Sequence, residues 1–217
     1  MNKKLLQKIS LLVSVLGLLY LILSYYEITR YLNLNFYKTD FYIEKYKKLK
    51  KQDNSKLIIS FRCEKENFPK LKTFINSILD QSYKIDEIIL PVKEEDVKYI
   101  PEWLLNIVSL QKYTKDYQET APLICSLLKE RETDTKIIIV NPNKIFSIDF
   151  VSSIIEASEE SKEKIIFSKH AYLIKPDFFN CDILSNSEKN VEIQELLKKF
   201  SGKEIETIKL SNIYSSM

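Results

Sequence analysis

Few residues in this chain have types and positions suited to chemistry. The run "IIIVNPNKIF" at 137–146 is a β-branched stretch that stops at Asn141-Pro142-Asn143. In open α/β sheets, ligands bind beyond the carboxyl ends of strands. The two amides, Asn141 and Asn143, are therefore candidate cofactor-binding residues. Ser60 and Arg62 stand at the end of another apolar run, "LIISFR", and a guanidinium there suits a phosphate or a nucleobase, with an ordinary surface arginine as the alternative. His170 follows a further apolar run and is the chain's 1 histidine. It is a candidate acid or base, with a purely structural role as the alternative. Asp149 is the nearest acid beyond the 137–140 strand. It is a candidate metal ligand or an acid that steadies a helix start.

Other chemistries are excluded by what is scarce. The chain has 217 residues and 2 glycines, Gly17 and Gly202. A dinucleotide fingerprint, a P-loop and a nucleophile elbow all need glycine where the backbone turns sharply or meets a phosphate. One histidine rules out H-E-x-x-H zinc chemistry. The 3 cysteines, Cys63, Cys125 and Cys181, form no C-x-x-C pair. They read as small buried apolar groups, with one disulfide and a free thiol as the alternative. A net charge of +3, with acids and bases interspersed, does not describe a nucleic-acid binder.

The elements that must position these residues alternate. Strands are expected at "LIISF", "DEIILPV", "NIVSLQKY", "KIIIV", "KIIF", "AYLIK" and "ETIKL". Between them lie helical spacings: Leu71, Phe74, Ile75, Ile78 and Leu79; Leu123, Ile124, Leu127 and Leu128; Phe150, Val151, Ile154 and Ile155; and Val191, Ile193, Leu196, Leu197 and Phe200, closed by Gly202. Apolar residues three and four apart share one helix face. Strand and helix in alternation predict an α/β fold with a mostly parallel sheet covered on both faces.

Several pieces, in this order, resemble the GT-A glycosyltransferase superfamily. They are "LIISFRCEKENFPKLKTFINSILDQSYKIDEIIL", "KDYQETAPLICSLL", "IIIVNPNKIF" and "AYLIKPDFF", and together they span roughly 56–210. The resemblance implies a nucleotide-diphospho-sugar transferase-like fold. It also implies a Mn²⁺ or Mg²⁺ ion held by a D-x-D pair, and an acidic base before the last helix. Here Asn141 and Asn143 stand where the aspartates would be, and Gln118-Glu119 replace Gly-Pro. Lys189-Asn190 correspond to the family's acidic pair, with Glu188 or Glu192 as substitutes in a shifted register. On that basis no metal cofactor is expected, with Mn²⁺ or Mg²⁺ and a nucleotide sugar as the alternative if the site is active, and Glu192 and His170 are the candidate catalytic residues.

Residues 9–26 carry no charge and follow Lys3, Lys4 and Lys8. This reads as a signal anchor crossing the membrane, N-terminus in the cytosol. A cleaved signal peptide and a core helix are the alternatives. Residues 27–55 then form a stem, either a linker or a membrane-surface helix, and 56–217 the α/β domain. Three functions fit. One is a transferase-like protein without metal-dependent catalysis, serving as a binding or scaffold partner of another transferase or a glycan in the ER or Golgi. Another is an active, metal-independent transferase using a nucleotide sugar. The third is an unrelated α/β interaction domain at a membrane.

Overall fold

The computed structural model describes residues 3–25, 27–115, 117–161, 164–179, 183, 193–208 and 214–215. They belong to two compact units, Met1–Phe41 and Tyr42–Met217.

The first unit opens with α1 (Lys3–Tyr25). Within it, the 19 residues of Gln7–Tyr25 have a mean hydropathy of 1.9 and none of that window is buried. At about 1.5 Å per residue this segment matches the hydrocarbon core of a bilayer, so it is long and apolar enough to cross one. Helix α2 (Ile28–Phe36) follows. Helix α3 (Thr39–Lys47) straddles the boundary between the units.

The second unit is built on a 7-stranded sheet in the order β3-β2-β1-β4-β7-β6-β8. Its strands are β1 (Leu57–Ser60), β2 (Glu87–Lys93), β3 (Ser109–Tyr113), β4 (Lys136–Val140), β6 (Ile165–Ser168), β7 (Ala171–Ile174) and β8 (Ile205–Thr207). Six run in one direction. Strand β7 is antiparallel to both its neighbours, β4 and β6. The reason is local: only Lys169 and His170 separate Ser168 from Ala171, which pair with each other, and so short a link can only make a hairpin. The remaining strand, β5 (Lys144–Ile145), pairs antiparallel with β9 (Tyr214–Ser215). The sequence does not signal this small second sheet, because two-residue strands leave no periodicity.

The helices are α4 (Lys72–Leu79), α5 (Glu102–Leu105), α6 (Ala121–Lys129), α7 (Phe150–Glu160) and α8 (Ile193–Phe200). Side chains alternate across the sheet, and both faces are covered. On one face Ile58, Ile137 and Ile139 share a core with Leu123 and Ile124 of α6 and Leu196 and Leu197 of α8. On the other, Phe61 meets Phe74 of α4 edge-on at 4.8 Å. Phe74 then reaches Phe146 at 6.2 Å, and Phe146 reaches Phe150 of α7 at 4.2 Å. Gly202 closes α8 with φ of +60°, the left-handed stop that glycine adopts at least cost.

The expected stem, residues 27–55, is divided between the two units. Its later part packs on the second. Tyr42 is buried. The Tyr46 hydroxyl accepts from the Ile85 N–H at 2.8 Å, and the Lys84 ammonium sits 3.7 Å from the Tyr46 ring centre. Lys45 pairs with Asp80, and Lys51 with Asp86 at 2.9 Å.

Candidate functional site

The strand ends converge on one cavity of about 370 Å³. The loop after β1 supplies Arg62, Cys63, Glu64 and Asn67, and the start of α6 supplies Glu119 and Pro122. The end of β4 supplies Ile139 to Asn143, and the β6–β7 hairpin supplies His170 and Tyr172. Ile193, the first residue of α8, completes the wall.

Four sequence candidates, Arg62, Asn141, Asn143 and His170, therefore share one pocket. The reversal of β7 is what brings His170 there. Val140 pairs with Ala171, so the hairpin turn lies against the end of β4, and the Asn141 N–H donates to the His170 carbonyl at 3.0 Å. Ser60 is fully buried and donates to the Pro122 carbonyl at 3.1 Å, so it braces α6 behind the wall. Asp149 is exposed at the start of α7 and is not among the lining residues. Its carbonyl accepts from the Ser153 N–H at 2.9 Å. Glu192, like Glu188, Lys189 and Asn190, lies outside the described residues. Cys181 does too.

The Asn-Pro-Asn segment is a turn whose own atoms hold it. The Asn141 Oδ1 accepts from the Asn143 N–H at 2.9 Å, and the Lys144 N–H donates to the Asn141 carbonyl at 3.2 Å. This is an Asx-type closure, with proline at the position whose φ it presets. The turn is braced from below by the "SILDQ" segment. Buried Ser77 accepts from the Phe146 N–H at 3.4 Å. Buried Gln81 donates to the Ser147 carbonyl at 2.6 Å and accepts from the Val151 N–H at 3.0 Å. Gln81, just past the end of α4, thus caps α7, supplying one of the acceptors that a helix N-terminus needs.

Charge in the pocket is mixed. The Arg62 guanidinium reaches Glu119 at 2.5 Å and Glu64 at 3.5 Å. Burial lowers the His170 pKa below its ordinary value, helped by the positive charges of Lys144 and Lys169. The imidazole is therefore neutral at pH 7. Burial pushes the Cys63 thiol up to about 12, so it is no thiolate nucleophile. Cys125 behaves in the same way. Sequence reading missed Glu119 as the partner of Arg62 and Lys144 as a neighbour of His170. Its only signal for Glu119 was an acid just before a helix.

This lining does not suit a hard divalent cation, which wants several charged oxygens free to converge. The two carboxylates, Glu64 and Glu119, both lie on Arg62, and the Asn141 amide oxygen is engaged in its own turn. Among the described residues, no group of three His, Cys, Asp or Glu side chains could hold a metal ion.

No protein-family model matches this chain, and no curated protein does. Solved structures similar to it share about a tenth of its residues. The inositol-1-phosphate CTP transferase from T. maritima has 11% identity over 75% of this chain and 89% of its own, with a TM-score of 0.49. A Desulfovibrio desulfuricans G20 protein named for nucleotide-diphospho-sugar transfer has 10% identity over 71% and 80%, with a TM-score of 0.48. A Mycobacterium tuberculosis H37Rv protein solved as a complex with manganese has 8% identity over 73% and 90%, with a TM-score of 0.47. With TM-scores below 0.5 these likenesses assign no chemistry, and the site rests on its own residues.

Proposed function

We propose that this protein is a nucleotide-sugar-transferase-like domain, held at a membrane, that does not carry out metal-dependent transfer and serves as a binding or scaffold partner in glycan synthesis. One observation carries this reading. At the end of β4, where a metal-bound diphosphate would sit, the Asn141 side chain is folded into its own turn, and the nearby carboxylates are drawn onto Arg62. Replacing two aspartates by amides removes attractions worth about 4 kcal/mol each at contact distance and an effective dielectric near 20.

The rest of the proposal follows the chain. Residues 1–26 are a cytosolic tip and signal anchor, supported by the span at Gln7–Tyr25. Residues 27–55 are a stem, and 56–217 lie outside the cytosol, with the ER or Golgi lumen as the compartment. The partner is another glycosyltransferase or a glycan. Calorimetry of the full chain in detergent, titrated with UDP-, GDP- and CDP-sugars, tests the metal claim. The same weak or absent binding is expected with and without Mn²⁺. Tight binding that appears only with Mn²⁺ would overturn it.

A second reading, an active transferase that works without a metal, draws on Arg62, with His170 lining the same pocket and the Lys144 charge reaching it. It requires nucleotide release from a sugar donor in the presence of a chelator, lost in Arg62→Ala. No release from any of the three donors excludes it.

A further inference from the structure

The first unit carries an apolar face that the span alone does not explain. In α2, Ile28, Leu32 and Phe36 are 41%, 43% and 80% exposed. Their spacing of four places them on one side of the helix. Leu34, about 200° round from Leu32 at 100° per residue, is fully buried. The Glu27–Arg30 ion pair is also largely covered, with side-chain exposures of 21% and 14%. The helix thus hides its charged pair and one leucine and turns three large apolar side chains outward, the reverse of a helix facing water. Two more aromatic residues follow in sequence: Tyr37 and Phe41 stack at 4.9 Å and are both exposed.

The occupant follows from the tether. The apolar span ends at Tyr25 and α2 begins at Ile28. Three residues of chain reach at most about 11 Å. The headgroup zone on each side of the hydrocarbon core is about 5–7 Å deep. A helix starting so close to that boundary, with an unbroken apolar stripe, has lipid within reach along its whole length if it lies flat. Tyrosine at the ends and an exposed Lys38 just beyond are the side chains suited to the headgroup level.

We propose that α2 lies in the plane of the membrane surface, with Ile28, Leu32 and Phe36 sunk into the lipid and Tyr37 and Phe41 at the headgroups. The chain then has two membrane contacts in series, a span and a flat helix. The second stops the stem from swinging freely above the bilayer. The proposal rests on α1 spanning the membrane and is independent of what the pocket binds.

The test uses tryptophan depth in the full chain reconstituted in phosphatidylcholine–phosphatidylglycerol vesicles. The chain has 1 tryptophan, so Trp103→Phe gives a silent background. Phe36→Trp, and Leu32→Trp as a second variant, should emit blue-shifted fluorescence that resists iodide. Lipid brominated near the headgroup end should quench it roughly twofold, and lipid brominated mid-chain less. Leu16→Trp, inside the span, should show the opposite depth preference. If α2 tryptophans are quenched by iodide and untouched by bromine, the stripe faces water and the proposal fails. If they are shielded from both, protein covers the stripe, whether a partner or a second copy, and the proposal fails. If Leu16→Trp is not quenched by any brominated lipid, the span itself is wrong and the proposal falls with it, a result the other two outcomes do not resemble.

Discussion

Gln118 holds a backbone that its side chain does not favour. Its φ is +46°, in the left-handed region that costs a non-glycine residue about 1–2 kcal/mol. The turn is closed regardless, with the Thr120 N–H on the Tyr117 carbonyl at 3.0 Å and the Thr120 hydroxyl on the same oxygen at 2.6 Å. "DYQE" stands where the resembling sequences have D-Y-G-P, and the conformation is one that glycine adopts freely. Gln118→Gly relieves the strain and loosens the unfolded chain, which returns about 0.4–1 kcal/mol of the gain. The variant should be more stable by about 0.5 kcal/mol, read as a higher urea midpoint; a lower midpoint would mean that the turn is not strained. His170 offers a second measurement at this scale. As the 1 histidine, it gives a single imidazole resonance whose titration midpoint should fall below 6.5, because burial and then Lys144 and Lys169 oppose its charge. The sign for stability follows: the folded chain prefers the neutral ring, so this group weakens the fold as pH drops through about 6.5 and is neutral in effect above that. Lys144→Gln should move the midpoint upward, and an unchanged midpoint would remove Lys144 from the pocket's electrostatics.

At the scale of the element, the loop that carries Asn141 and Asn143 owes its position to helix α4. Gln81 is buried and makes bonds to the Ser77 and Ser147 carbonyls and the Val151 N–H. Truncating it leaves the Val151 N–H of α7 without this acceptor and the Ser147 carbonyl with only the Phe150 N–H at 3.3 Å. Gln81→Ala should cost about 2–3 kcal/mol. Gln81→Glu should also cost, because it keeps the acceptor for Val151 and loses the donor for Ser147. Urea unfolding of the detergent-solubilised chain measures both, and a loss below about 0.5 kcal/mol would show that α7 is capped in some other way. This bracing was half legible in the sequence. "SILDQ" is visible as the end of a helix, but nothing in a linear pattern says that the glutamine reaches 70 residues ahead to start another one. The strands and helices themselves were legible: "KIIIV" and "LIISF" are short continuous apolar runs of the kind buried on both faces of a parallel sheet, and the Phe74–Leu79 face carries the 3.6-residue period. The reversed β7 was legible as a strand and not as a direction. Its direction is set by the two-residue turn Lys169-His170, and that turn is also what delivers His170 to the pocket.

On the scale of the whole second unit, both ends of the sheet carry charges of both signs, paired differently. The carboxyl ends hold the pocket. The amino ends hold a mesh of ion pairs: Lys56 with Glu130 and Glu87, Lys129 with Glu87, and Lys136 with Asp53 at 3.0 Å and Glu159 at 3.3 Å. Acids that could have served a cation are thus spent at the far end, tying Asp53, just ahead of β1, to the start of β4. Hydrogen bonds from Ser55 first, and then from Lys136, hold the Asp53 carboxyl well below the ordinary range. For Glu87, burial pushes the pKa up, but the hydrogen bond from Lys129 and the neighbouring lysine charges outweigh it, and the net direction is down. Both folded carboxyls bind protons less readily than their unfolded counterparts. Their contribution is therefore complete above about pH 5 and is lost as pH falls through about 4 and below. Lys136→Met tests the mesh. The ammonium is nearly buried, with side-chain exposure of 9%, while Asp53 and Glu159 keep 37% and 63%. Removing one partner of a buried pair is costly when it strands the other charge away from water, but Asp53 and Glu159 stay exposed enough to be hydrated, and the cation's own desolvation penalty is relieved. The variant should lie within about 1 kcal/mol of the parent at pH 7. It should also lose less stability between pH 7 and pH 3, since Asp53 then keeps only its Ser55 bonds. A loss of 3 kcal/mol or more at pH 7 would show instead that the paired charges are required to seat β4. That outcome would make the amino end of the sheet, and not Gln81 alone, the support on which the site loop depends.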